Sequence, residues 1–183
     1  AFNKSIVEEL TEKLSDRPNC TIRTVHSLGL SFLQNNIDGH IDVDEYKYNS
    51  FLRVNISRLS SIENINELPS DELNEYLGRI ISLMNFSRLN LAQSVNEIRN
   101  VASNYSIPIE TDEDKVTLEC LKWGKENLST IDYTDMVWLP FELSLKPVAN
   151  KYDWIFFDEC QDASLAGIKL FLRCFNRGTR FVA

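Results

Sequence analysis

Apolar residues recur at three- and four-residue intervals near the start of the chain, at Ile6, Val7, Leu10 and Leu14, and this spacing predicts a helix over residues 5–14. Ser5 precedes the run with Glu8 three residues on, the pattern of a capping box. Asp16-Arg-Pro-Asn19 breaks the helix, and Cys20-Thr-Ile-Arg-Thr-Val25 alternates with period two, which predicts a strand. From His26 the spacing is helical again until Asn35-Asn-Ile-Asp-Gly39 ends it. Helix, strand and helix in succession is the alternation of an α/β fold.

The middle of the chain keeps one period only. Segments 43–58, 70–86, 88–104 and 113–128 all show three-to-four spacing, as in Leu91, Val95, Ile98, Val101 and Ala102. Breaks at Leu68-Pro-Ser-Asp71 and Ser106-Ile-Pro-Ile109 separate them, and no strand is predicted between these helices. After Ile131 the alternation returns: a helix through Met136-Val-Trp-Leu139, a break at Leu145-Lys-Pro-Val148, a buried strand over 154–157, a helix over 164–176 and a strand over 179–183. That last run is apolar and β-prone and stops without a turn, which suggests that its sheet continues in residues outside this sequence. The economical organisation is an α/β domain in two parts, residues 1–40 and 129–183, interrupted by an all-helical insertion over 41–128. A separate interaction module is the alternative reading of the insertion.

Bulk properties narrow the class. A chain of 183 residues holds one ordinary domain or one domain with an insertion, and 43% hydrophobic content supports a core. No stretch has the apolar length of a membrane span, and the amino terminus lacks the pattern of a signal peptide. Cys20, Cys120, Cys160 and Cys174 are scattered, with only His26 and His40 as histidines. This argues against a zinc site or a disulfide framework and for a reducing, intracellular setting. The net charge of −8 is uneven: residues 1–40 carry four basic and five acidic side chains, 41–128 nine and fifteen, and 129–183 six and seven. The insertion therefore disfavours a broad nucleic-acid surface, while a local phosphate-binding groove elsewhere needs only local positive potential.

One segment carries chemistry. In Tyr152-Asp-Trp-Ile-Phe-Phe-Asp-Glu-Cys-Gln-Asp162 an apolar strand runs into Asp158, Glu159, Gln161 and Asp162. Acids at the carboxyl end of a parallel strand lie where such sheets bind ligands. An acidic pair there can hold a magnesium ion and activate water against a nucleoside triphosphate. The plainer alternative is a strand-to-helix turn in which Asp162 caps the following helix. Trp123, Trp138 and Trp154 lie in apolar patterns and are expected in the core. The run Glu110-Thr-Asp-Glu-Asp114 lacks the glycine and terminal glutamate of a calcium loop, and reads as a solvated helix start.

Several short motifs, in order, resemble the UvrD/Rep-like branch of superfamily 1 DNA helicases. Phe2-Asn-Lys-Ser-Ile-Val-Glu-Glu-Leu10 is similar to motif Ia, Thr24-Val-His-Ser-Leu-Gly29 to the Thr-Phe-His-Ser motif that follows it, and Asp158-Glu-Cys-Gln-Asp162 to motif II. Ile131-Asp-Tyr-Thr-Asp-Met136 resembles the Asp-Phe-x-Asp-Leu stretch before motif II, and the helical middle falls where the family inserts its 1B subdomain. Together these motifs cover about a third of the chain. No Gly-x-x-x-x-Gly-Lys-Ser/Thr phosphate loop occurs, and the single Gly-Lys step, Gly124-Lys125, lacks the rest of it.

The resemblance implies a partial RecA-like sheet of the P-loop NTPase class, with ATP and Mg²⁺ as cofactors. Asp158, with Glu159 beside it, would hold the metal. Glu159 would deprotonate the attacking water, and Gln161 would sense the γ-phosphate and relay its state. Cys160 stands where the family usually has alanine, a position that suits a small buried thiol. Phe2, Asn3, Lys4, Thr24 and His26 would face single-stranded DNA, Phe2 by stacking or instead as a buried strand residue. His26 alone reads as a core or capping histidine; the family context makes it a DNA contact. The implied activity is 3′–5′ translocation on single-stranded DNA with unwinding at a duplex junction, and the acidic insertion is left for protein partners. Without the phosphate loop the 183 residues alone are expected to be inactive. The compartment implied is the cytoplasm, at the nucleoid, or a nucleus. The alternatives are the helicase part of a helicase–nuclease and a non-catalytic, motor-like interaction module.

Overall fold

In the computed structural model the described residues are 4–146 and 152–183, the side chain of Lys4 excepted. The chain is α/β and mostly helical, with short parallel strand pairs. It divides into two compact units: residues 1–38 with 136–183, and residues 39–135. The division falls inside one helix, close to the 1–40, 41–128 and 129–183 boundaries of the sequence pattern but seven residues later at its second edge.

In the first unit, α1 (Lys4–Lys13) and α2 (Val25–Asn36) are followed at the far end of the sequence by α7 (Tyr133–Glu142), β3 (Trp154–Phe156), α8 (Leu165–Leu172) and β4 (Arg180–Val182). Ser5 lies within α1 rather than before it, so it is not that helix's N-cap. Thr24 caps α2 by accepting a hydrogen bond from Ser27 N–H at 3.1 Å. The predicted strand over Cys20–Val25 does not form: residues 20–24 are irregular and Val25 already belongs to α2. Period-two alternation describes one chain, whereas a strand needs a hydrogen-bonded neighbour, and none pairs with it among the described residues.

α2 can pack on α7 because two residues remove obstacles. Pro140 inside α7 has no N–H to give to the Met136 carbonyl. Gly29 approaches that carbonyl so closely that a Cβ would sit 1.8 Å from the oxygen. Asn36 closes the far end of α2, exchanging hydrogen bonds with the Lys146 backbone at 3.0 and 3.2 Å.

β3 and β4 pair in parallel, with Trp154 opposite Arg180 and Phe156 opposite Val182. They are joined through α8, whose Phe171 stacks on Phe157 at 4.3 Å and meets Phe181 edge-on at 5.5 Å. β3 was expected to be buried, and here the structure differs. Phe157 is buried, but Trp154 is 49% and Phe156 69% exposed. They stack on each other with Arg180 over the Trp154 ring. α8 covers only one face of this pair, and the alternate side chains point from the other. Trp154 therefore departs from the core expectation, which Trp138 meets at 1% exposure.

The second unit contains β1 (Asp42–Val43), α3 (Lys47–Leu59), α4 (Ser70–Leu89), α5 (Val95–Asn104), α6 (Glu113–Glu126) and β2 (Thr130–Ile131). The helices expected over 43–58 and 88–104 begin later, at Lys47 and Val95, because chain reversals precede each. Neither β1 nor β2 was predicted. They clip the ends of the insertion together in parallel, Asp42 beside Thr130 and Val43 beside Ile131. α4 packs against α3, α5 and α6, and its Ile80 and Leu83 are fully buried. Trp123 is half-buried, stacked on Phe51 at 3.9 Å.

The acidic run before α6 is a helix start, but a buried one. Asp112 accepts from Ser61 N–H and from the Ser60, Ser61 and Tyr76 hydroxyls. Glu113 takes Arg79 at 2.9 Å and Asp114 takes Arg99 at 2.6 Å. Asp112 thus ties the start of α6 to the end of α3 and to α4, Glu113 ties it to α4 and Asp114 to α5, pairings that sequence spacing alone could not reveal.

Candidate functional site

Phe157 N–H donates to Val182 O at 2.9 Å, the last rung of the β3–β4 ladder, and Asp158 follows at once. The acidic cluster therefore does lie at the carboxyl end of a parallel strand pair. Glu159 has φ 52°, a left-handed backbone that a non-glycine residue seldom adopts. A 3-10 turn over Cys160–Asp162 follows, closed by Asp162 N–H to Glu159 O at 3.1 Å. This backbone turns Glu159 back toward Gln161, whose side-chain amide donates to the Glu159 carboxylate. Asp158, Glu159, Gln161 and Asp162 are all exposed.

Two details correct the sequence reading. Asp162 does not cap α8, since Ser164 does so by accepting from Gly167 N–H at 3.1 Å. Cys160 is half-buried rather than buried. Among the described residues no three His, Cys, Asp or Glu side chains converge as a ready-made metal cage. Magnesium needs less than that: it binds through one or two carboxylates together with phosphate oxygens and water. The exposed Asp158–Glu159 pair has the donor chemistry for such a site.

The Thr24–Gly29 segment belongs to the same unit. Its helix begins beside α8: a methyl group on Gly167 would sit 3.8 Å from Val25 Cγ1. The first turns of α2 and α8 are thus neighbours, and α8 starts three residues after Asp162. Thr24 Oγ1 is engaged as the cap of α2, and the backbone carbonyl of Thr24 accepts from Leu28 N–H and from the Ser27 hydroxyl. His26 is exposed at the first turn of α2, and partial desolvation of its ring lowers its pKa below the ordinary 6.5. Phe2 and Asn3 lie outside the described residues, as does the side chain of Lys4, so their expected roles rest on sequence alone. Gly124 is buried in α6 against the Tyr48 ring and takes no part in a phosphate loop.

The sequence motif Asp132-Tyr-Thr-Asp135 has a defined structural role. Asp135 N–H donates to Asp132 Oδ1 at 2.7 Å and Asp132 N–H to Asp135 Oδ2 at 3.3 Å, a reciprocal capping box at the start of α7. Arg88 bridges both carboxylates at 2.7–2.8 Å, Lys47 meets Asp135 at 2.7 Å, and Tyr48 donates to Asp135 at 2.8 Å. Two cations face two carboxylates, so this buried cluster is neutral. Burial alone would lower the Arg88 pKa, but Tyr48, Asp132 and Asp135 around it raise it, and burial pushes the Tyr48 phenol well above its ordinary value. Lys47, Tyr48 and Arg88 were not singled out in the sequence; a charged residue on the apolar stripe of α4 is the signal that could have found Arg88.

No family model matches the sequence, nor does any curated protein or solved structure.

Proposed function

We propose that this chain is a segment of an ATP-dependent DNA helicase of the UvrD/Rep-like kind, spanning motif Ia to motif II of a RecA-like motor subdomain and its helical insertion. The observation that carries the reading is the exposed Asp158–Glu159 pair directly beyond the last rung of a parallel βαβ unit, with Gln161 bonded to Glu159. Asp158, with Glu159 beside it, would hold a magnesium ion, which when bound neutralises charge on the nucleotide phosphates. Glu159 is the group suited to take the proton of an attacking water. Gln161 orients that carboxylate and couples it to the turn that leads into α8. The start of α2, with Thr24 and His26, is the DNA-side element of the same unit, joined by Asn3 and Lys4 and, through its ring, by Phe2. In this reading the phosphate cradle lies outside these residues.

Assayed in a protein that carries this chain together with its phosphate loop and second motor domain, Glu159→Gln abolishes DNA-stimulated ATP hydrolysis, by about 10²-fold or more, the scale of a general base. Nucleotide binding persists. Unchanged turnover in this variant removes the assignment. Absence of ATPase activity in the unsubstituted protein favours the non-catalytic interaction module, a reading that the strong acidity of residues 39–135 also supports.

A further inference from the structure

The helical unit has a feature of its own, independent of the motor reading. A surface cavity of about 310 Å³ lies above the neutral Arg88–Asp132–Asp135 cluster. Tyr46 and Tyr133 border it, 62% and 55% exposed, and Glu45 stands at its rim. Tyr48 and Asp132 form part of its floor, where Asp132 is already held by the two terminal guanidinium nitrogens of Arg88. Among the described residues no lysine or arginine lines the cavity. The buried cations nearest to it, Lys47 and Arg88, are committed to the carboxylates beneath.

We infer that this cavity receives a basic side chain, arginine or lysine, from a partner protein. The faces of two exposed phenol rings are electron-rich and attract a cation, and Glu45 adds a full negative charge at the entrance. Residues 39–135 hold nine basic and seventeen acidic side chains, so the whole net charge of the chain sits on this unit. That field draws a basic segment and repels a phosphate backbone. The volume is at the small end of ligand pockets and suits one side chain, with the rest of the partner segment lying along the acidic surface.

The test titrates the 183-residue chain with acetyl-Gly-Arg-Gly-Arg-Gly-amide while the ring signals of its tyrosines are followed by NMR. Saturable shifts of the Tyr46 and Tyr133 rings are expected, with binding weakened about two- to fivefold by Tyr46→Ala or Tyr133→Ala, the size of one exposed cation–π contact. Tyr46→Phe keeps the ring face and binds as the parent does. Glu45→Gln weakens binding and reduces its salt dependence. Equal affinity in both alanine variants would show attraction by the acidic surface at large and overturn the proposal. So would equal shifts with the glutamate version of the peptide, or displacement of the peptide by a thymidine decanucleotide.

Discussion

The two units treat charge in opposite ways. In residues 39–135, Lys47, Arg88, Asp112, Glu113, Asp114, Asp132 and Asp135 are buried, and each has a hydrogen-bonded or ionic partner within the unit. In the other unit Asp158, Glu159, Gln161 and Asp162 lie in the open beside an aromatic strand face that is itself exposed. Burial makes a charge architectural, because its partners must be fixed to offset desolvation. Exposure leaves a carboxylate able to exchange water for a metal or a phosphate-bound ligand. The difference separates charges fixed in place by partners from charges left open to solvent.

The contrast breaks most sharply at Arg88. Arg88→Met leaves Asp132 and Asp135 buried with one cation between them, and urea unfolding followed by circular dichroism should show a loss of about 3–5 kcal/mol. Asp158→Asn in the exposed cluster should change stability by no more than about 0.5 kcal/mol in the same assay. Equal losses in the two variants would erase the distinction.

A smaller effect is expected where backbone contact rather than charge is at stake. Gly29→Ala drives a methyl group into the Met136 carbonyl, and Gly124→Ala drives one to 2.0 Å from the Tyr48 hydroxyl. Each should cost about 1–3 kcal/mol, the range for overpacking. Gly124→Ala strikes the buried cluster directly, since that hydroxyl donates to Asp135, whereas Gly29→Ala reaches it only through the backbone that joins Met136 to Asp135. Chemical shifts around Arg88 should therefore move more in Gly124→Ala than in Gly29→Ala.

The smallest effect concerns acid. Burial would raise the pKa of Asp112, but hydrogen bonds from Ser61, Tyr76 and Ser60 outweigh it and bring the value below 3.8. A carboxyl group depressed in the folded state stabilises above its unfolded pKa, and that stabilisation is lost as the pH falls through the folded value. Asp112→Asn should cost about 1 kcal/mol at pH 7. Its stability curve should converge with that of the parent only below pH 3.8, and a gap that persists unchanged there would refute the linkage.

Much of this architecture was legible because it is local. Three-to-four spacing located α3, α4 and α6 within four residues at each end, and α5 except for its start, which lies seven residues later, since an amphipathic helix writes its buried face into its own sequence. The apolar run at 154–157 followed by Asp158 and Glu159 likewise marked a strand and its acidic end. Exposure of that strand was not legible, because apolar character does not say whether a second layer covers the sheet. The absent strand at 20–24 failed for a related reason: its alternation had no neighbour to pair with. Ser164 displaced Asp162 as the cap of α8 through a shift of two residues that composition does not resolve.

What the sequence determined by itself is the α/β class, the helical middle and the acidic end of the strand at Asp158 and Glu159. These depend on residue type and on spacing within one turn or one strand. Tertiary structure alone decided that Lys47 and Tyr48 meet Asp135, and that Arg88 bridges Asp132 and Asp135, across 44 to 88 positions of sequence. It also turned a short acidic motif into a buried capping box and left two tyrosines facing an open cavity. Pairings of that range follow from how helices pack, and no local period encodes them.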